Sequence, residues 1–192
     1  QGYSSAASDV YKRQDMSDFG VTKEFLWQRD IMNGLSVPYV TLIGNHDCLG
    51  TGAETYKAIF GPTNFSFIAG DVKFVCLNTN ALEYDYSEPV PDFTFMENEL
   101  TNRTDEFNKT VISMHARPYT DVFNDNVVKM FQHYVKQYPG IQFCTAAHTH
   151  HYRDDVIFDD GIHYVTSDSM DKRTYLVFTI TPEKYEYELV KY

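Results

Sequence analysis

Short apolar runs alternate with segments of helical periodicity along most of this chain. The runs predict buried strands, and the segments in which apolar residues recur every three or four positions predict helices packed on those strands. The predicted strands cover 39–43, 65–68, 72–78, 110–114, 141–146, 156–158, 162–166, 175–180 and 185–190, and the predicted helices lie near 22–35, 54–60, 93–100 and 127–135. This alternation indicates an α/β protein.

Three clusters that contain histidine each follow one of the predicted buried strands. In α/β folds the functional groups gather at the carboxyl edge of the sheet, where strands give way to loops. Asparagine, histidine and aspartate side chains suit hard to borderline metal ions, so the set indicates a metal site that does not depend on thiolates. The clusters are Gly44-Asn45-His46-Asp47, His115, and His148-Thr149-His150.

Composition limits the classes of function. At 192 residues with 43% hydrophobic and 16% aromatic content, the chain is long and apolar enough to build one globular core. Its 27 acidic and 16 basic residues give a formal net charge of -11, which would repel a phosphate backbone. We therefore expect no non-specific nucleic-acid binding. No stretch is apolar over a length that spans a bilayer, so no transmembrane segment is predicted.

The three cysteines are widely separated and odd in number. Cys48, Cys76 and Cys144 have no Cys-x-x-Cys spacing, so they predict neither a disulfide framework nor a structural zinc site. Cys48 follows the Asn-His-Asp cluster, where it is either a soft metal ligand or, as we favour, a small apolar filler.

The first fourteen residues differ from the rest. Residues 4–14 resemble a translated sequencing-adapter string, and they lack a hydrophobic period that would pack on a core. We therefore expect residues 1–14 to be a non-native or disordered arm, and residues 15–192 to be the folded domain.

The three clusters, in this order and each behind a predicted strand, resemble the third, fourth and fifth motifs of the calcineurin-like metallophosphoesterases. The resemblance extends from Asp15 to the C-terminus. It implies an α/β fold in which a β-sandwich is flanked by helices in four layers. The first family motif, Asp-x-His, has no match, so the resemblance also implies that the fold lacks its first strand and that the first metal lacks two ligands.

The resemblance implies a dinuclear metal centre with a specific ligand set. Asp15 would bridge two divalent ions and complete the second ion's site with Asn45, His115 and His148, while His150 would point to the first ion. Gln14 and Ala147 replace glycines of the family pattern, and Asp18 is the competing carboxylate. The ions would be Mn, Fe, Zn or Co, and one tight ion is expected in this chain.

The same resemblance implies the catalytic roles. His46 would protonate the leaving group as a general acid, and Asp47 would accept its ring proton and orient it. The chain would then hydrolyse phosphomonoesters or phosphodiesters by a metal-bridging hydroxide. Two alternatives stay open: an inactive, truncated fragment that binds at most one metal, and a protein-binding module. The other polar candidates are more simply explained as solvated or locally bonded groups: His133, His151, His163, Arg117, Lys172 and Arg173.

Overall fold

A six-stranded sheet dominates the computed structural model, which describes residues 10–12, 14–85 and 87–192. In chain order the elements are β1 (Val10–Lys12), α1 (Thr22–Met32), β2 (Tyr39–Thr41), α2 (Gly52–Phe60), β3 (Phe65–Ala69), β4 (Val72–Leu77), α3 (Phe93–Thr101), β5 (Lys109–Met114), α4 (Val128–Val135), β6 (Ile141–Ala146), β7 (Arg153–Val156), β8 (His163–Thr166), β9 (Thr174–Ile180) and β10 (Tyr185–Lys191).

The large sheet has the strand order β3-β4-β5-β6-β8-β7. Its four inner strands are parallel, and the two edge strands β3 and β7 run antiparallel to their neighbours. The carboxyl ends of β4, β5 and β6 therefore lie along one edge of the sheet. Loops that leave this edge can meet over a single site.

Alternation along each inner strand gives the sheet two buried faces. On β4, Val75 and Leu77 pack in the cluster that includes Phe131 and Val135 of α4, while Val72 and Phe74 pack on the other side with Phe178 of β9. Helices thus cover one face, and the antiparallel hairpin β9–β10 covers the other. The predicted α/β fold, a β-sandwich flanked by helices, is confirmed as a mixed α/β architecture with a central sheet flanked by helices.

The first part of the chain forms a smaller unit around the parallel pair β1–β2. Phe25 of α1 and Tyr56 of α2 pack edge to face with ring centroids 6.2 Å apart, and both are fully buried. The Tyr56 hydroxyl also pairs with Thr41 Oγ1 at 2.8 Å. These contacts fix the end of β2, from which the Asn-His-Asp cluster emerges.

Two predicted elements differ from the observed ones. Helix α1 forms but ends at Met32, before Leu35. The predicted stripe of Trp27, Ile31 and Leu35 is exposed, because the helix buries Phe25 and Met32 instead. The strand predicted at 156–158 is observed at Arg153–Val156, as a polar edge strand. The apolar residues that suggested it, Ile157 and Phe158, pack on the core from the following loop.

The predicted N-terminal arm lies partly outside the described residues, because residues 1–9 and 13 are not among them. Within it, Val10–Lys12 forms β1, whose residues pair with Tyr39–Thr41. The Gln14 amide also donates to the Asp168 carbonyl at 3.2 Å. The non-native origin of this arm stays a prediction, but its last part lies directly before Asp15 and takes part in the fold.

Candidate metal centre

Four predicted ligands converge where strands end. Asp15 follows β1, Asn45 follows β2, His115 follows β5 and His148 follows β6. His115 Nε2 lies 3.1 Å from Asn45 Oδ1 and 3.2 Å from His148 Nδ1, and the Asn45–His148 edge of this triangle is also 3.1 Å. Asp15 Oδ1 lies 3.7 Å from His115 Nε2. Residues up to 133 positions apart thus place their polar atoms in one cluster.

The triangle of Asn45, His115 and His148 is poorly explained by hydrogen bonds alone. An amide oxygen only accepts, and each ring nitrogen brings at most one proton. Two protons at most are available for three edges, and with both present the two imidazole N–H groups face each other. A divalent cation held by three lone pairs removes this conflict, and imidazole nitrogen and carbonyl-type oxygen are ordinary donors to such ions.

The amide oxygen of Asn45 would be one of the donors of such a site. Within the described ranges, no group of three or more His, Cys, Asp or Glu side chains could hold a metal ion. A divalent ion at this cluster would therefore depend on the oxygen of Asn45 together with the nitrogens of His115 and His148, with Asp15 beside them. This mixed nitrogen and oxygen donor set suits Mn, Fe, Zn or Co.

Gly44 permits the close approach of Asp15. A Cβ atom at position 44 would overlap the Asp15 carboxylate and crowd its Cα. Any larger residue would push apart the two loops that carry Asp15 and Asn45. The glycine of the Gly-Asn-His-Asp cluster is thus required for space.

Asp47 ties the same two loops together. Its fully buried carboxylate accepts from Met16 N at 2.9 Å, from Ser17 N at 2.7 Å, from Ser17 Oγ at 2.8 Å and from Gly44 N at 2.8 Å. Burial raises the pKa of Asp47 to about 6, although the hydrogen bonds from Gly44, Met16 and Ser17 lower it. The side chain is therefore ionised at neutral pH, and it holds Asp15 beside Asn45.

The predicted role of Asp47 as the partner of His46 is wrong. The ring Nδ1 of His46 lies 2.8 Å from the backbone carbonyl of Asp18. Both oxygens of Asp47 are already occupied by the donors on Met16, Ser17 and Gly44. The Asp18 carbonyl therefore orients His46, and Asp47 orients the backbone that carries the candidate ligands.

The Asp47→Asn substitution should reduce the free energy of unfolding by about 1–3 kcal/mol. The amide NH2 group would face backbone N–H groups that now donate to a carboxylate, so buried donors would lose their acceptor. Urea unfolding of the variant measures the loss. The matched control is Asp30→Asn, because Asp30 is exposed on α1 and pairs only with its neighbour Arg29 among the described contacts. Equal stability of both variants and the wild type would contradict the role of Asp47.

His148 sits on a turn of unusual backbone geometry. His148 and His150 have φ values of 65° and 55°, in the left-handed region. The amide of Ala147, which stands where the family pattern has glycine, donates to the His115 carbonyl at 2.8 Å and so joins the two histidine loops. His148 Nε2 contacts Asp121 Oδ1 at 2.6 Å, and this hydrogen bond lowers the pKa of Asp121.

His150 is not part of the cluster. Its side chain is exposed, and its backbone carbonyl accepts a hydrogen bond from Lys172 Nζ, which also pairs with Asp168 at 2.9 Å. The other polar candidates also lie outside the cluster. His151 Nδ1 lies 2.7 Å from the Thr149 carbonyl, His163 pairs with Asp154, Arg117 pairs with Asp155, and His133 is exposed on α4.

The sequence patterns did not identify two residues that hydrogen-bond the backbone of the loops carrying the candidate ligands. Asn80 Nδ2 donates to the Ile43 carbonyl at 2.9 Å, just before Gly44, and Thr79 Oγ1 accepts from Ala116 N at 3.1 Å, just after His115. Both side chains are fully buried. Their position directly after β4, at the same sheet edge as the histidine clusters, was the signal that could have identified them.

The comparisons with known proteins concern the family and the fold. A model of the calcineurin-like phosphoesterase family matches residues 9–152. The crystal structure of a "Putative 5′-Nucleotidase" from Staphylococcus aureus, in complex with alpha-ketoglutarate, is similar with a TM-score of 0.56 and 14% identity. The alignment covers 86% of this chain but only 40% of that chain, so it shows the fold alone.

A second similar structure is the solution NMR structure of a Thermotoga maritima protein. It aligns over 96% of this chain and 80% of that chain with 14% identity, and its TM-score of 0.45 is too low to carry an argument. No curated protein matches the chain. No helix among the described residues is both long and apolar enough to cross a membrane.

Proposed function

We propose that this chain, which belongs to the calcineurin-like phosphoesterase family, is a metal-dependent hydrolase of phosphomonoesters or phosphodiesters. The family consists of phosphoester hydrolases that generally depend on metal ions. The observation that carries the proposal for this chain is the convergence of Asn45, His115 and His148 within 3.2 Å of one another, with Asp15 beside them.

Asp15, Asn45, His115 and His148 would hold one divalent ion. A bound ion supplies a Lewis acid that lowers the pKa of water and neutralises charge on the phosphoryl oxygens. A second ion in a dinuclear centre would have Asp15 and His150 as protein ligands in this chain. Two protein ligands rarely retain a divalent ion, so the proposal includes one tight site and a weak second one.

His46 is proposed as the general acid. A backbone carbonyl only accepts, so the contact with the Asp18 carbonyl places a proton on Nδ1 of His46 and leaves Nε2 to give its proton to the leaving group. The hydrogen bond to Asp18 raises the pKa of His46, partial burial lowers it, and the charges of Asp15 and Asp18 raise it further. The raised pKa favours the protonated ring that a general acid requires.

The His46→Asn variant should distinguish substrates by their leaving groups. With an alkyl phosphate, whose alkoxide needs a proton as it leaves, we expect kcat to fall by about 10²–10⁴. With p-nitrophenyl phosphate the fall should be much smaller, because the phenolate leaves without protonation. Metal content should stay unchanged, since His46 is not a proposed ligand. Equal losses on both substrates would argue against the general-acid role.

The function itself is tested with the wild-type chain and a metal titration. Hydrolysis of p-nitrophenyl phosphate and of bis(p-nitrophenyl) phosphate is measured with added Mn or Zn, and again after chelation with EDTA. Turnover that appears with the metal and disappears with the chelator supports the proposal, and the ratio of the two rates assigns monoesterase or diesterase activity. Turnover that is insensitive to the chelator would reject a metal-dependent mechanism.

A further inference from the structure

We infer that Asp121 is a positioning residue that sets which ring nitrogen of His148 faces the metal centre. The inference rests on the proposed function, because it concerns a ligand of the proposed metal site. Asp121 lies in the loop between β5 and α4 and contacts His148 Nε2 at 2.6 Å, on the side of the ring opposite to Asn45 and His115. Sequence patterns gave no sign of this residue.

The contact fixes the protonation pattern of the His148 ring. A carboxylate accepts and does not donate, so the proton of a neutral His148 lies on Nε2, directed at Asp121. The lone pair then lies on Nδ1, the atom that is 3.1 Å from Asn45 Oδ1 and 3.2 Å from His115 Nε2. Turning the ring over would break the contact with Asp121 and move Nδ1 away from the cluster.

The carboxylate of Asp121 is held in place although it is 81% exposed. The next two residues, Val122 and Phe123, are buried, and Phe123 packs edge to face on Phe131 of α4. The Val122 carbonyl accepts from Leu82 N at 3.2 Å. These neighbours anchor the loop, so Asp121 faces His148 from a fixed backbone.

Two orientations of the His148 ring place different nitrogens toward the cluster. His148 stands on a turn with two left-handed residues, and its side chain is 14% exposed. A half-turn of the ring about its Cβ–Cγ bond would exchange the ring edge that faces Asn45 and His115. An outer carboxylate that receives the second ring proton is a common way to orient a histidine ligand and to raise its basicity.

The test compares Asp121→Ala with Asp105→Ala by Zn titration calorimetry on the full chain. Asp105 is exposed and precedes β5, at the opposite end of the sheet from the site, so its variant removes the same charge without touching His148. We expect Asp121→Ala to weaken Zn binding by about 10- to 100-fold and Asp105→Ala to bind like the wild type. Asp121→Asn, which keeps an acceptor oxygen, should recover part of the loss.

A second measurement needs no metal. Proton NMR of the metal-free chain in mildly alkaline buffer should show the Hε2 resonance of His148 in the wild type and in Asp105→Ala, because the hydrogen bond slows its exchange with water. Asp121→Ala should lose this resonance. A proton found on Nδ1 in the wild type, or unchanged Zn affinity in Asp121→Ala, would overturn the inference. If the wild type binds no Zn, the proposed metal site fails, and the Hε2 resonance alone decides the assignment of Asp121.

Discussion

The His115→Ala variant is expected to lose the tight metal site entirely. His115 is fully buried, and its Nε2 contacts Asn45, His148 and Asp15, so its imidazole lies at the centre of the donor set. Removing it deletes a direct ligand, so the fall in Zn affinity should exceed the 10- to 100-fold effect that is typical of outer partners. Calorimetric titration with Zn or Mn measures the affinity, and metal-dependent hydrolysis of p-nitrophenyl phosphate should disappear with it.

Two other histidine variants make this result specific. His133→Ala removes an exposed imidazole on α4 and should leave the titration unchanged. His150→Ala should affect only the weak second site, because its ring lies outside the cluster. A His115→Ala protein that is folded by circular dichroism and still binds one ion as tightly as the wild type would refute the proposed ligand set.

The Lys73→Met variant should lose about 3–5 kcal/mol of unfolding free energy. The Lys73 side chain is 1% exposed, and its Nζ contacts Glu99 Oε2 at 2.9 Å, the Glu99 carbonyl at 2.7 Å and the Asn102 carbonyl at 2.8 Å. This ion pair fastens α3 to β4. Methionine fills similar space but leaves the buried Glu99 carboxylate without its cation, and urea unfolding at neutral pH measures the cost.

The loss in Lys73→Met should depend on pH. Burial raises the pKa of Glu99, but the hydrogen bonds from Ser66, Lys73 and Asn102 lower it below the usual 4.5. A carboxyl group whose pKa is lowered by folding stabilises the protein above its unfolded pKa, and this contribution is lost as the pH falls through the folded value. The difference between wild type and variant should therefore shrink below about pH 4.5.

An exposed pair gives the comparison for Lys73. Arg103 and Glu106 form an ion pair in which both side chains are about half exposed, and Arg103→Met should cost far less stability than Lys73→Met. The double variant Lys73→Met, Glu99→Leu should regain much of the stability, because an apolar pair leaves no buried charge. A loss in Lys73→Met as small as that in Arg103→Met would show that the pair contributes little.

The sequence predicted the sheet because its signals are local. The apolar runs at 65–68 and 72–78 depend on neighbouring residues, and the strands predicted there are observed as Phe65–Ala69 and Val72–Leu77. The exposure of Trp27 and Ile31 on α1 could not be predicted from such local signals. Periodicity locates the apolar residues of a helix, but which of them are buried depends on what packs against it, and here Phe25 faces Tyr56.

In the candidate site, too, local sequence patterns identified some residues but not their long-range partners. Strand endings identified Asn45, His115 and His148, because a strand followed by a polar residue is a local pattern. The partners of Asp47 and His148 could not be found in this way. Asp47 bonds to Ser17, thirty positions away, and His148 contacts Asp121 across 27 positions. Such pairs depend on how loops from different strands pack, which no short window of sequence contains.

The carboxylate of Asp47 also determines how the site would open. Because the amides of Met16, Ser17 and Gly44 all donate to this one carboxylate, none of the three can be released far without disturbing the others. The loop that carries Asp15 and the loop that carries Asn45 therefore form one cooperative unit of local unfolding. A fluctuation would break the cluster in a single step, and recovering it would restore both ligands at once.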